Sequence, residues 1–124
     1  MPTEHAEQCA VRKWWDDFAG HHQLYEPEEL YAVPNGGNRD RVTGARLKRE
    51  GVRAGQPDLN LDIPSAGYHG LRIEMKAGRG RVTAPQQIAI DRLNGRGYLA
   101  LVCRSAAEAI EAIEDYLGIG GDDD

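Results

Sequence analysis

The 124-residue sequence has only two cysteines and no long apolar run, and each absence excludes a class of protein. No segment approaches the roughly 20 apolar residues of a membrane-spanning helix, so we expect no membrane association. The N-terminal segment MPTEHAEQ lacks the basic and apolar regions of a secretion signal, so we expect a cytoplasmic protein. Cys9 and Cys103 lie far apart, with no cysteine or histidine set at zinc-ligand spacing, which indicates reduced structural residues. No P-loop sequence is present, which excludes that class of nucleotide site.

The charged residues are unevenly distributed along the chain. A net charge of −5 argues at first against a nucleic-acid partner. Residues 1–34 hold 7 acidic and 2 basic residues, and residues 105–124 hold 7 acidic residues and no basic residue. Residues 35–104, by contrast, hold 13 basic and 6 acidic residues. Because counterion release depends on the local surface that meets phosphate, the middle of the chain is a candidate phosphate-binding surface.

The order of helical and strand patterns predicts one α/β domain. With 40% hydrophobic and 28% charged residues and no internal repeat, the chain has the composition of a single globular domain. We expect that domain over residues 1–118, followed by a disordered acidic tail at 119–124. Apolar periodicity, N-cap residues and turn residues predict helices at 3–20, 43–51, 83–95 and 105–117, and strands at 30–34, 58–63, 69–77 and 98–103. This order predicts a small mixed β-sheet flanked by helices.

The stretch LRIEMKAGRG at 71–80 contains the first indication of chemistry. In a strand, Glu74 and Lys76 share one face while Ile73 and Met75 point into a core. Asp58 begins the preceding predicted strand, so a hairpin would bring its carboxylate close to Glu74. Two carboxylates suit Mg²⁺, and a lysine beside the ion can orient or deprotonate a water for phosphodiester hydrolysis. Taken alone, Glu74 and Lys76 fit an ordinary surface ion pair better than a site.

Longer segments carry a family resemblance. Pro57–Asp58 followed by Glu74–Met75–Lys76 resembles the PD-(D/E)XK nuclease signature, which by itself is loose. The segments PNGGNRDRVTGARLKREGVRAGQPDL, IEMK and GRVTAPQQIAIDRLNGRGYLALVCRSAAEAI together resemble a VRR-NUC domain of the small, stand-alone phage type. The resemblance extends from TEHAEQ to DYL, which is nearly the whole chain.

The resemblance implies a restriction-endonuclease-like core and DNA cleavage that depends on Mg²⁺ or Mn²⁺. The catalytic residues that it implies are Asp58, Glu74, Lys76 and Gln86. The metal ligands that it implies are Glu4, Asp58, Glu74 and the backbone carbonyl of Met75. Glu7 remains an alternative to Glu4, and Gln87 an alternative to Gln86.

The resemblance also implies a partner and a substrate. Small stand-alone members form homodimers and cleave branched DNA such as four-way (Holliday) junctions, here in the cytoplasm of a phage-infected or lysogenic bacterium during replication or repair. Three alternatives stay open. They are a nuclease of flap, linear or single-stranded DNA, a catalytically silent DNA-binding accessory protein, and an RNA-processing nuclease.

Basic residues around the predicted site are candidate DNA contacts. Gly36 and Gly37 would allow a DNA backbone to approach the loop closely, and Arg46 and Lys48 are the strongest candidates. The same side chains also suit a solvated loop and helix. The candidate DNA-binding residues are Arg39, Arg41, Arg46, Lys48, Arg53, Arg79 and Arg81.

Overall fold

The structure is a computed structural model that describes residues 2–34 and 41–120, with Arg41 described by its backbone alone. Those residues form a mixed four-stranded sheet flanked by helices, which confirms the predicted α/β fold. The helices are α1 (Glu4–Gly20), α2 (Arg41–Arg49), α3 (Ala84–Gly95) and α4 (Ala106–Leu117). The strands are β1 (Leu30–Ala32), β2 (Leu59–Leu61), β3 (Leu71–Met75) and β4 (Leu99–Cys103). A short 3₁₀ helix, Pro27–Glu29, precedes β1 and was not predicted.

The first turns of three helices are fixed by the predicted N-cap residues. The hydroxyls of Thr3, Thr83 and Ser105 each accept a hydrogen bond from a backbone N–H in the following turn. Such a bond satisfies one of the N–H groups that a helix start leaves without a partner. These short-range interactions set where α1, α3 and α4 begin.

The strands lie in the order β1, β2, β3, β4. The first three pair antiparallel, with Leu59 opposite Ile73, whereas β3 and β4 pair parallel, with Met75 opposite Cys103. The parallel pair is joined through α3, as parallel pairing requires a crossover. Because β3 and β4 run parallel, their carboxyl ends lie at the same edge of the sheet.

The main apolar core lies between one face of the sheet and helices α1 and α4. Trp15 is fully buried there, and its indole N–H donates to the carbonyl of Pro27 at 3.0 Å. Alternate residues of β2 and β3 supply the sheet side of this core. The largest fully buried side chains are Val11, Trp15, Leu59, Leu61, Leu71, Ile73, Met75 and Ile113.

The opposite face of the sheet carries polar side chains under α3. Arg72 donates to the Asp62 carboxylate at 3.0 Å and lies over the Tyr98 ring, 4.8 Å from its centroid. The Tyr31 hydroxyl donates to the same carboxylate at 2.8 Å. Asp62 is therefore engaged at the end of the sheet away from Lys76. Glu74 lies further along this face.

The outer edge of β4 is covered by side chains rather than by another strand. The side chain of Asn94 accepts from the N–H of Ala100 at 2.8 Å and donates to its carbonyl at 3.2 Å. The Glu108 carboxylate accepts from the N–H of Arg104 at 2.8 Å. Satisfying edge groups in this way disfavours pairing with a further strand.

Several predicted boundaries were too long. Strand β1 ends at Ala32 and β2 at Leu61, shortly before Pro34 and Pro64, which cannot donate to a sheet ladder. Helix α4 instead ends at Leu117, as predicted, and its C-cap Gly118 adopts a left-handed conformation with φ 70°. Residues 35–40 of the predicted loop and 121–124 of the predicted tail lie outside the described residues. No helix in the described ranges is long and apolar enough to cross a membrane.

Candidate active site

Glu74 and Lys76 lie buried at the end of β3, beneath α3. Their exposed fractions are 2% and 7%, and they are the only charged residues classed as buried in the part of the chain that the structure describes. Lys76 Nζ lies 3.7 Å from Glu74 Oε2. Glu74 Oε1 is also buried and has no hydrogen-bond partner. Because a buried carboxylate oxygen without a partner is unfavourable, this atom indicates a missing cation or donor.

Asp58 lies directly beside this pair. Its Oδ2 accepts the backbone N–H of Met75 at 2.8 Å, an interaction that joins the start of β2 to the end of β3. The antiparallel register of the two strands makes this contact possible. The hairpin therefore brings together Asp58, Glu74 and Lys76, as the spacing predicted. The ligand role of the Met75 carbonyl stays a prediction.

The pKa of Glu74 is raised from 4.5 to about 8. The largest cause is burial, which disfavours the charged carboxylate. The negative charge of Asp58 raises the pKa further, the ammonium of Lys76 opposes that effect, and Glu4 adds a smaller increase. The carboxyl at this position therefore favours a bound proton or a nearby cation.

Glu4 and Glu7, both on α1, have different surroundings. A Cβ on Gly80 would lie 3.4 Å from Glu4 Oε2 and 3.6 Å from Lys76 Cδ, so the Glu4 carboxylate and Lys76 border the same loop. The carboxylate of Glu7 instead accepts the N–H of Ala106 at 2.6 Å, at the start of α4. Of the two acids, Glu4 is the one that lies near Glu74.

The two candidate glutamines, Gln86 and Gln87, have different hydrogen-bond partners. Gln86 Nε2 donates to Glu74 Oε2 at 3.1 Å, while Gln86 Oε1 accepts the N–H of Thr83 at 2.9 Å in a capping box. One side chain thus fixes the start of α3 and contacts the site. Gln87 Nε2 donates to Asp91 at 2.9 Å, away from Glu74.

Arg104 is a residue near the site that the sequence did not predict. Its guanidinium donates to the carbonyls of Gly78 and Gly80, in the loop that borders Glu4 and Lys76. Arg104 follows β4 directly, and the parallel register places it next to the end of β3. Only knowledge of that register would have drawn attention to it.

The predicted DNA-binding residues whose side chains the structure describes are all exposed. Arg46 pairs with Glu50 at 3.1 Å on the exposed surface of α2, a pair that contributes little to stability. Lys48 is also exposed on α2. Arg53 lies exposed in the loop before β2, and Arg79 and Arg81 lie exposed after β3. Arg39 lies outside the described residues, and the side chain of Arg41 is not described.

The donor set fits a hard divalent cation in an open site. No three His, Cys, Asp or Glu side chains from residues 2–34 and 41–120 enclose a metal on their own. Glu74 nevertheless has an unpartnered buried oxygen, a neighbouring Asp58 carboxylate and the charge of Glu4 nearby. Mg²⁺ is commonly held by one or two carboxylates, with water and substrate phosphate completing its shell. The residues present therefore fit such an ion.

Comparisons with known proteins agree with this geometry. Residues 4–107 match the family model of the VRR-NUC domain. A solved structure described as a "VRR_NUC domain protein" is 32% identical, covers 99% of this chain and 94% of its own, and superposes with a TM-score of 0.81. No curated protein sequence matches the chain. The chain therefore belongs to the VRR-NUC domain family, and its general functional class is that of a nuclease.

Proposed function

We propose that this protein is a Mg²⁺- or Mn²⁺-dependent, structure-selective DNA endonuclease whose substrate is a four-way junction. The observation that carries the proposal is the grouping of Asp58, Glu74 and Lys76 at the end of β3, where Glu74 Oε1 is buried without a partner. An ion pair that served stability alone would not need a third charged group and an unsatisfied oxygen.

The metal would be held by the carboxylates of Asp58 and Glu74, with Glu4 and the Met75 carbonyl as further ligands. When bound, a divalent ion lowers the pKa of a coordinated water and offsets charge on the phosphate. Burial of Glu74 favours this arrangement, because its carboxylate is stabilised less by solvent and more by a nearby cation.

The other residues position the reactants. Lys76 Nζ donates hydrogen bonds to the attacking water or to a phosphate oxygen, while Gln86 holds Glu74 Oε2 in place. The water oxygen forms the new bond to phosphorus and gives up a proton to the surrounding solvent, while the bond from phosphorus to the leaving sugar oxygen breaks and that oxygen takes up a proton from solvent. Arg104 keeps the loop at Gly78 and Gly80 beside the site.

Charge distribution and symmetry support a branched DNA substrate. The middle segment of the chain, which supplies Asp58, Glu74 and Lys76, has the excess of basic residues. Arg79 and Arg81 lie exposed just after the lysine strand, where they can contact phosphates on either side of the cut. A homodimer would offer two sites to the two-fold symmetry of a four-way junction. We place this activity in the cytoplasm of a phage-infected or lysogenic bacterium.

The test compares cleavage of a labelled four-way junction with linear duplex and flap controls, in Mg²⁺, Mn²⁺ or EDTA. We expect paired symmetric cuts in the junction with either metal and none in EDTA. Lys76→Ala should abolish cleavage while circular dichroism shows a folded protein. Lys13→Ala, which removes an exposed positive charge on α1, serves as the matched control and should cleave normally.

The outcomes separate the parts of the proposal. Cutting of flap or linear DNA alone would retain the nuclease and reject the junction. Full activity of Lys76→Ala would reject the mechanism. Tight DNA binding without any cleavage would instead support an accessory protein.

A further inference from the structure

A groove of about 500 Å³ lies between the loop that precedes β2 and the exposed side of α3. Arg53 and Gln56 line it from the loop, and Pro85, Ile88 and Arg92 line it from the helix. Neither Ile88 nor Arg92 has a part in the active site described above.

Both walls of the groove are followed closely along the chain by active-site residues. Gly55 adopts φ 84°, and a Cβ on it would lie 2.8 Å from the backbone of Pro85, so the loop packs directly on the first turn of α3. Three residues after Gly55 the chain reaches Asp58, and the residue after Pro85 is Gln86. Chain connectivity therefore places the groove close to the active site on both the loop and the helix.

The side chains in the groove combine exposed apolar surface with unpaired positive charge. Ile88 is 61% exposed although it lies on a helix that packs on the sheet. Arg53 and Arg92 are exposed, and neither makes an ion pair or hydrogen bond with another residue that the structure describes. The nearest acid on the helix, Asp91, already accepts a hydrogen bond from Gln87. The groove is thus complementary to an anionic ligand that also has an apolar face.

The spacing along α3 matches a nucleic-acid strand. Pro85, Ile88 and Arg92 share one face of the helix, so Arg92 lies about 10 Å along the axis from Pro85. Phosphates of one strand in a duplex recur about every 3.4 Å along the axis, so this length spans about three nucleotides. An exposed isoleucine in a groove that also holds two arginines suits a base with its neighbouring phosphates, as in proteins that insert apolar wedges into DNA.

We propose that this groove binds the DNA strand beside the scissile phosphate, with Arg53 and Arg92 on phosphates and Ile88 against the face of an unstacked base. This inference rests on the proposed nuclease function and adds a substrate requirement. Only DNA with an unpaired or easily unstacked nucleotide next to the cut presents a free base face to Ile88. Fully stacked linear duplex does not.

The test uses a duplex with a three-nucleotide bulge, the same duplex without it, and a four-way junction. We expect Ile88→Ala to reduce cleavage of the bulged duplex and the junction about tenfold, as the loss of one base contact implies. It should leave cleavage of the plain duplex unchanged. Leu24→Ala, which removes an even more exposed apolar side chain after α1, is the matched control and should change neither rate.

Binding measurements test the two arginines separately from chemistry. In the Lys76→Ala background, which keeps the DNA intact, Arg53→Ala and Arg92→Ala should each lower the slope of log Kd against log salt by about one. Arg92→Lys should restore the slope, because it keeps the charge. Lys13→Ala should leave it unchanged.

Each result bears on one of the two proposals. Suppose that the wild type cuts DNA, that Ile88→Ala cleaves bulged and plain duplex in the wild-type ratio, and that Arg53→Ala and Arg92→Ala keep the wild-type salt slope. DNA binding in the groove is then refuted, whereas the nuclease function is retained. If the wild type binds DNA with arginine-dependent slopes but cuts none, the nuclease function and the position beside a scissile phosphate are refuted, whereas DNA binding in the groove is supported. A change of oligomeric state in Ile88→Ala, measured by sedimentation, would assign the groove to a second copy of the chain and overturn the DNA assignment.

Discussion

Replacing Glu74 with glutamine should stabilise the metal-free protein while abolishing its activity. Glu74 is 2% exposed and one of its oxygens has no partner, so its ionised form is unfavourable in the folded state without a cation. Glutamine has nearly the same shape and remains neutral. The substitution therefore removes the unfavourable charge with little change in packing.

The size of the effect follows from the pKa of Glu74. The pKa is about 8 in the folded protein, against an ordinary value of 4.5. Because the folded-state pKa is raised, the favourable contribution is fully present below the unfolded value and is lost as the pH rises toward 8. Between about pH 5 and pH 8 the loss is about 3 kcal/mol, most of it from burial and the neighbouring Asp58.

The assay is urea unfolding in EDTA at several pH values. Wild-type stability should fall across this window, and Glu74→Gln should show a flatter profile and exceed the wild type near pH 8. Mg²⁺ at a hundredfold excess over its Kd should raise wild-type stability by roughly 2.7 kcal/mol and the variant by much less. Asp91→Asn, which removes an exposed carboxylate, is the charge-matched control. Parallel profiles for wild type and Glu74→Gln would refute the reasoning.

Further substitutions test the remaining assignments. Glu4→Gln should abolish metal-dependent cleavage at unchanged stability, whereas Glu7→Ala should retain cleavage but lose about 1 kcal/mol in urea unfolding, because its carboxylate caps α4; the reverse result would exchange their roles. Arg46→Ala with Lys48→Ala should lower the salt slope of DNA binding by up to about two in fluorescence anisotropy, and an unchanged slope would remove both from the interface. Trp15→Phe leaves the half-buried carbonyl of Pro27 without its donor and should lose about 1–3 kcal/mol of unfolding free energy; a loss within error of zero would contradict that.

Local sequence patterns predicted the helices better than the strand ends. Thr3, Thr83 and Ser105 were recognisable as N-caps because each interacts with a backbone N–H three residues away. The strand lengths were overestimated because the alternation of apolar and polar residues continues beyond the last backbone hydrogen bond between strands. The neighbouring strand decides where pairing stops. The 3₁₀ helix was missed because PEE has no apolar period.

The identity of the site residues was only partly readable from the sequence. Motif spacing placed Asp58, Glu74 and Lys76 together, since a hairpin connects their strands over a short distance in the chain. Motif spacing could not decide whether Glu4 or Glu7 is the candidate metal ligand, because both lie near one face of the same helix.

The sequence by itself determined the order of elements, the helix starts and the three residues that motif and hairpin bring together. All of these depend on neighbours close in the chain. Tertiary structure decided that Glu7 caps a helix start 99 positions away, that Arg104 reaches the loop of Gly78 and Gly80, and that Ile88 borders a groove. Those contacts depend on the parallel register of β3 and β4 and on how α3 meets the loop before β2. No local pattern encodes them, because each arises only when distant segments pack together.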